Sequence, residues 1–183
     1  MCDRPGGNAT AGHAPCRSAR IQSESRAAAV IYISTRGSAP ELGFEDVLLA
    51  GLARDGGLYL PKSWPTLSKA TIAGFAGRPF AEVATEVILP FTGAAIPRQT
   101  LSRMAEEAYQ TFGHPAVTPL VQIDRDRFVL ELFHGPTLAF KDVAMQLLAR
   151  LMDHVIEKRG ERAMIVGATS GGTTGASIGL GGG

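Results

Sequence analysis

A single lysine, Lys141, closes the polar, turn-prone stretch His134-Gly135-Pro136-Thr137-Leu138-Ala139-Phe140-Lys141-Asp142. A primary amine preceded by Leu138, Ala139 and Phe140 can be desolvated by them, which lowers its pKa and makes it a nucleophile for a carbonyl. A solvated surface lysine is the plain alternative. A second candidate is Thr169-Ser170-Gly171-Gly172-Thr173-Thr174-Gly175, whose glycines let backbone N–H groups approach an anion and whose hydroxyls can bond it. The same residues also suit an ordinary strand-to-helix turn, and no lysine follows the glycines as a nucleotide P-loop requires. His134 is read as a histidine bonded within its own loop rather than as a base, while His114 and His154 carry no signal. Cys2, Cys16 and His13 fit no zinc spacing and lack a fourth ligand, so neither a metal site nor a disulfide framework is expected.

The elements that must position Lys141 are legible on either side of it. Phe128-Val129-Leu130-Glu131-Leu132-Phe133 reads as a short buried strand, stopped by Gly135-Pro136. From Asp142, the residues Val143, Ala144, Leu147, Leu148, Leu151, Met152 and Val155 recur at helical spacing, with Gln146, Arg150, Asp153 and Glu157 opposite. Lys158 and Arg159 suit the negative end of that helix, and Gly160 is placed to cap it. Ala163-Met164-Ile165-Val166-Gly167-Ala168 reads as a second buried strand, so strand, helix and strand would form a right-handed parallel βαβ unit. Lys141 then stands between a strand end and a helix start, where open α/β sheets place their ligands.

Upstream, Ile31 to Gly37 is a short strand and polar turn, in which Arg36 is taken as a structural turn arginine in preference to a phosphate partner. Phe44, Val47, Leu48 and Leu52 form one helix face, ended by Gly56 and Gly57 before a short extended piece. Phe80, Val83, Ala84, Val87 and Ile88 line a helix that stops before Pro90; Leu101, Met104, Ala105, Ala108 and Phe112 line another that stops before Gly113. Ala116 to Ile123 is an extended connection, and Asp124-Arg125-Asp126-Arg127 a solvated charged turn. Residues 1–30 form an expected disordered extension, 31–115 a small helix-rich domain, and 116–183 the start of an α/β domain. The extension lacks the apolar core of a secretory signal, and its arginines only weakly suggest a transit peptide or a non-native start. A net charge of +1 gives no reason to expect nucleic acid, no apolar run is long enough to span a membrane, and a cytoplasmic setting is the default.

The stretch His134 to Asp142 resembles the lysine motif of threonine synthases, and Tyr32 to Gly37 with Phe44 to Pro61 resembles their amino-terminal domain. Membership implies an α/β protein, the amino-terminal part of a fold type II pyridoxal-phosphate enzyme. It also implies conversion of the small-molecule substrate O-phospho-L-homoserine, with water, to L-threonine and phosphate. By that resemblance Lys141 is both the Schiff-base lysine and a proton shuttle. Thr169, Ser170, Gly171 and Thr174 then match a Thr-Ser-Gly-Asp-Thr-Gly loop that meets the substrate carboxylate and the cofactor ring. Here Gly172-Thr173 stands where the family has one Asp, and three glycines close the chain. A truncation or frame shift near Gly172 is the expected cause. The alternatives are an inactive fragment and another pyridoxal-phosphate lyase acting on serine or threonine, whose known members generally lack a counterpart of Tyr32 to Pro61. Oligomeric state is not readable.

Overall fold

The computed structural model describes residues 29–164, and among them five strands and five helices. β1 (Ile31–Ser34) is the centre of a three-stranded antiparallel sheet between β2 (Leu42–Gly43) and β3 (Tyr59–Pro61). Its alternation turns Tyr32 and Ser34 inward, and the Tyr32 hydroxyl donates to the Phe91 carbonyl at 2.7 Å. Asp55 fastens the turn after β1. Its carboxylate accepts from the Ser34 hydroxyl and from the backbone N–H groups of Ser38, Ala39 and Gly57 at 2.8–3.0 Å. Arg36 donates to the Asp55 carbonyl at 3.0 Å, the geometry of a turn arginine.

Partial burial pushes the Asp55 carboxyl up, but the Gly57, Ser34, Ser38 and Ala39 donors outweigh it and hold the pKa at about 2. A carboxyl depressed in the folded state adds stability above its unfolded pKa of about 3.9, and that stability is lost as pH falls toward the folded value. The melting temperature of the chain should therefore drop between about pH 4 and pH 2. Asp55→Asn should lower it at pH 7 and flatten that acid limb, as thermal melts across the range would register.

The helices supply the core. α1 (Phe44–Ala50) ends at Gly51, whose φ of 65° is cheap only for glycine and whose N–H returns to the Val47 carbonyl. The expected end at Gly56 and Gly57 is thus corrected, and Leu52 lies outside the helix with 64% of its surface exposed. α2 (Lys69–Ala73) is a single turn that the apolar pattern does not announce; Ser68 caps it by accepting from the Thr71 N–H. α3 (Phe80–Thr92) runs through Pro90 instead of stopping before it: the proline forfeits one ladder bond, and the packing of α3 on α4 carries the helix past it. α4 (Arg98–Tyr109) buries Leu101, Met104, Ala105 and Ala108 as its stripe predicts, and Phe112 is buried in the turn beyond it. α5 (Asp142–Arg159) begins and ends where the sequence predicts, with Gly160 in the left-handed conformation as its cap.

α3 and α4 pack together, and α5 packs on α4. Ile96, Leu101, Met104, Ala105, Ala108, Tyr109, Phe112, Val117, Leu147 and Leu151 form one buried cluster. That core crosses the 115/116 position, so the helix following Lys141 is seated on the helices upstream of it. The Tyr109 hydroxyl donates to the Val143 carbonyl at 3.2 Å, and burial pushes its pKa up to about 12, so it stays protonated at neutral pH. At the far end of α5, Lys158 and Arg159 pair with Glu45 and Asp46 of α1, and the Lys158 hydrogen bond holds the Glu45 carboxyl below its usual value.

The segment before the lysine loop differs from expectation. β4 (Leu120–Asp124), foreseen only as an extended connection, and β5 (Arg127–Leu130) form an antiparallel hairpin around Arg125-Asp126, with a register shift between Gln122 and Asp124. Both strands are exposed along their whole length, so the buried strand expected at Phe128 to Phe133 is corrected. A two-stranded ribbon has no second layer over it, and an apolar run reads the same whether or not one is present. Both sheets among the described residues are antiparallel, and the strand expected at Ala163 to Ala168 falls outside them except for Ala163 and Met164, which are not in a strand.

Candidate active site

The loop from His134 to Lys141 is shaped by its own polar groups. The Leu138 N–H donates to the Gly135 carbonyl and the Asp142 N–H to the Ala139 carbonyl, two successive turns that lead into α5. Leu138 has φ 61°, a left-handed conformation that costs a branched aliphatic residue energy and persists only when its surroundings over-determine it. Across the loop, the carboxylate of Asp142 accepts from the Thr137 N–H at 2.8 Å, and the Thr137 hydroxyl lies 2.8 and 2.9 Å from its two oxygens. Asp142 is fully buried, and Gly135 lies directly against it.

A Cβ on Gly135 would come within 2.4 Å of the Asp142 Cβ and 2.5 Å of its Oδ2, closer than packed atoms allow. Gly135→Ala should therefore destabilise the chain by about 1–3 kcal/mol through forced backbone shifts. Gly43→Ala, where nothing lies within 4 Å, is the control expected to change little in the same denaturant titration.

The loop is anchored at its start as well. The His134 carbonyl accepts from the Gly113 N–H at 2.8 Å, joining the loop to the turn that follows α4. The His134 Nε2 and the Glu131 Oε2 are hydrogen-bonded at 2.7 Å. His134 is thus bonded to its own stretch, as its position suggests, and its ring also meets His114 at 5.2 Å and Phe133 at 4.6 Å.

Lys141 occupies the cap position of α5, half-buried, with its Nζ 5.6 Å from the Phe140 ring centre. This is the helix entrance that the sequence predicts. Of its apolar neighbours, Leu138 is 71% and Phe140 63% exposed, so both face solvent as well. Thr169, Ser170, Gly171 and Thr174 lie outside the described residues. The bridge from Thr137 to Asp142 is the feature that sequence reading missed. The available signal was a hydroxyl five residues before the first acidic residue of a helix, with a glycine two residues earlier.

Among the described residues no group of three or more His, Cys, Asp or Glu is placed to hold a metal ion, and no helix is long and apolar enough to cross a membrane.

Comparison with known proteins gives this geometry a setting. Residues 31–109 match the family model described as threonine synthase N terminus. Over 147 residues the chain is 56% identical to a threonine synthase of Pseudomonas aeruginosa, an alignment covering 80% of this chain and 31% of that protein. It is 40% identical over 158 residues to the threonine synthase of Schizosaccharomyces pombe, covering 81% of this chain and 31% of that one. The crystal structure of PLP-bound threonine synthase from Brucella melitensis superposes with a TM-score of 0.80 at 63% identity, covering 82% of this chain and 32% of its own. The resemblance to threonine synthases therefore holds for the amino-terminal part, and the chain spans about a third of the length of the curated relatives it matches.

Proposed function

We propose that this chain, whose residues 31–109 match the threonine synthase N terminus, is the lysine-bearing part of such an enzyme, a cytoplasmic lyase using pyridoxal 5′-phosphate. The reaction is conversion of O-phospho-L-homoserine and water to L-threonine and phosphate, and Lys141 is the Schiff-base lysine. What supports this is the position of Lys141 at the entrance of α5, on a loop held by buried hydrogen bonds, in a chain 63% identical to a PLP-bound threonine synthase over the aligned part.

The residues present fit the cofactor. A primary amine is the side-chain group that condenses with an aldehyde, and Lys141 carries one, half-buried at the end of a constrained loop. When bound, pyridoxal phosphate supplies an electron sink for negative charge on the substrate's α-carbon. Lys141 would hold the cofactor through its Nζ, and the same amine, when not so engaged, would remove a proton from the substrate and return one. Thr169, Ser170, Gly171 and Thr174 would hold the carboxylate side so that the bond being broken stays aligned. The seating of α5 on α4 through Leu147, Leu151 and the Tyr109 hydroxyl keeps the lysine's backbone from drifting.

The test is the absorption spectrum of the purified chain with pyridoxal phosphate, followed by borohydride reduction and peptide mapping. The expected result is a reducible adduct concentrated on Lys141. An adduct that is absent, or spread over Lys62, Lys69 and Lys158, would mean that the chain carries the loop without its cofactor chemistry.

A further inference from the structure

The buried carboxylate of Asp142 serves the residue next to it. Asp142 is 0% exposed, and a carboxylate so far from water needs donors of its own. Thr137 provides two, its N–H at 2.8 Å and its hydroxyl at 2.8 and 2.9 Å. The result is a closed ring of backbone from Thr137 to Asp142, with Gly135 packed against the closing bonds so tightly that no side chain fits there. Lys141 is the last residue inside that ring, one peptide bond from its closure. The left-handed Leu138 shows that the ring holds the backbone in a conformation it would not choose alone.

A lysine side chain is a flexible four-carbon stem, and the direction from which it starts, its Cα–Cβ bond, is set by the backbone. We propose that Thr137 and Asp142 are positioning residues whose bridge fixes that direction, so that the Lys141 amine is presented to an aldehyde before any cofactor arrives. This rests on the reading of Lys141 as the Schiff-base lysine.

The experiment compares the full chain with Thr137→Val and Thr137→Ser, using pyridoxal phosphate and borohydride trapping at early times, at a temperature where circular dichroism shows all three folded. The readout is adduct at Lys141 relative to Lys62, which is exposed and far in sequence, so a general loss of structure does not imitate the effect. Removing one hydrogen bond to a charged group should lower that ratio about tenfold in Thr137→Val. Thr137→Ser, which keeps the hydroxyl, should restore it. A ratio unchanged in Thr137→Val, with only the melting temperature lowered, would overturn the positioning role and leave Lys141's assignment intact. No preference for Lys141 in the unaltered chain would remove both.

Hydrogen exchange on the unaltered chain supplies a check that needs no variant. The Thr137 and Asp142 amides should be protected without pyridoxal phosphate; protection that appears only after it is added would mean the loop is not preorganised, and the inference fails.

Discussion

Lys141→Ala should abolish the reducible pyridoxal-phosphate adduct on the loop while leaving the melting temperature within experimental reach of the unaltered chain. The Thr137–Asp142 bridge and the apolar face that seats α5 are made by other residues, so removal of the half-buried Lys141 side chain leaves both standing. Slow labelling of Lys62, Lys69 and Lys158 would continue at the rate of ordinary surface amines. Where turnover of O-phosphohomoserine can be followed, loss of the proton-transferring group alone should reduce it by about 10²–10⁴-fold, and loss of the covalent attachment adds to that. Lys141→Arg should fail as well, because a guanidinium stays charged and does not condense with the aldehyde. An adduct of undiminished yield in Lys141→Ala would place the reactive amine elsewhere and end the assignment.

Leu101→Ala is the substitution expected to cost most in stability. Leu101 is 0% exposed in the first turn of α4 and belongs to the cluster that contains Met104, Ala105 and Ala108 of its own helix together with Leu147 and Leu151 of α5. Truncating it removes three carbons from water-free packing and leaves a cavity that two helices cannot both close, which predicts a loss of about 2–5 kcal/mol. Against a total of about 5–15 kcal/mol for an ordinary domain, that is a large share. Chemical denaturation read by circular dichroism would measure it. A loss below about 1 kcal/mol would mean that α4 and α5 re-pack freely, and the seating of α5 would not be a reason for the rigidity of the Lys141 loop.

Much of this arrangement was legible because it depends on local pattern. The start of α5 at Asp142, its cap at Gly160 and the cationic last turn follow from apolar spacing and from the preference of glycine for the left-handed conformation, both of which act within a few residues. The same holds for β1 and for the buried stripe of α4. Where two local signals competed, the pattern misled. Gly51 ended α1 before Gly56 could, and Pro90 was carried inside α3 because packing on α4 outweighs the one ladder bond it forfeits. The β5 strand illustrates a different limit: an apolar run states that a segment could be buried, and whether anything covers it is decided by elements far away in the chain.

The sequence by itself determined that Lys141 stands at the entrance of an amphipathic helix after a turn-rich loop, and that loop's wording pointed to pyridoxal-phosphate chemistry. Only the tertiary structure decided how the loop is held. The contact between Gly135 and Asp142, the bridge to Thr137 and the left-handed Leu138 all arise because the chain folds back on itself before α5 begins. Periodicity along a chain records which residues share a face of one element; it carries no information about two segments that meet only when the backbone reverses direction.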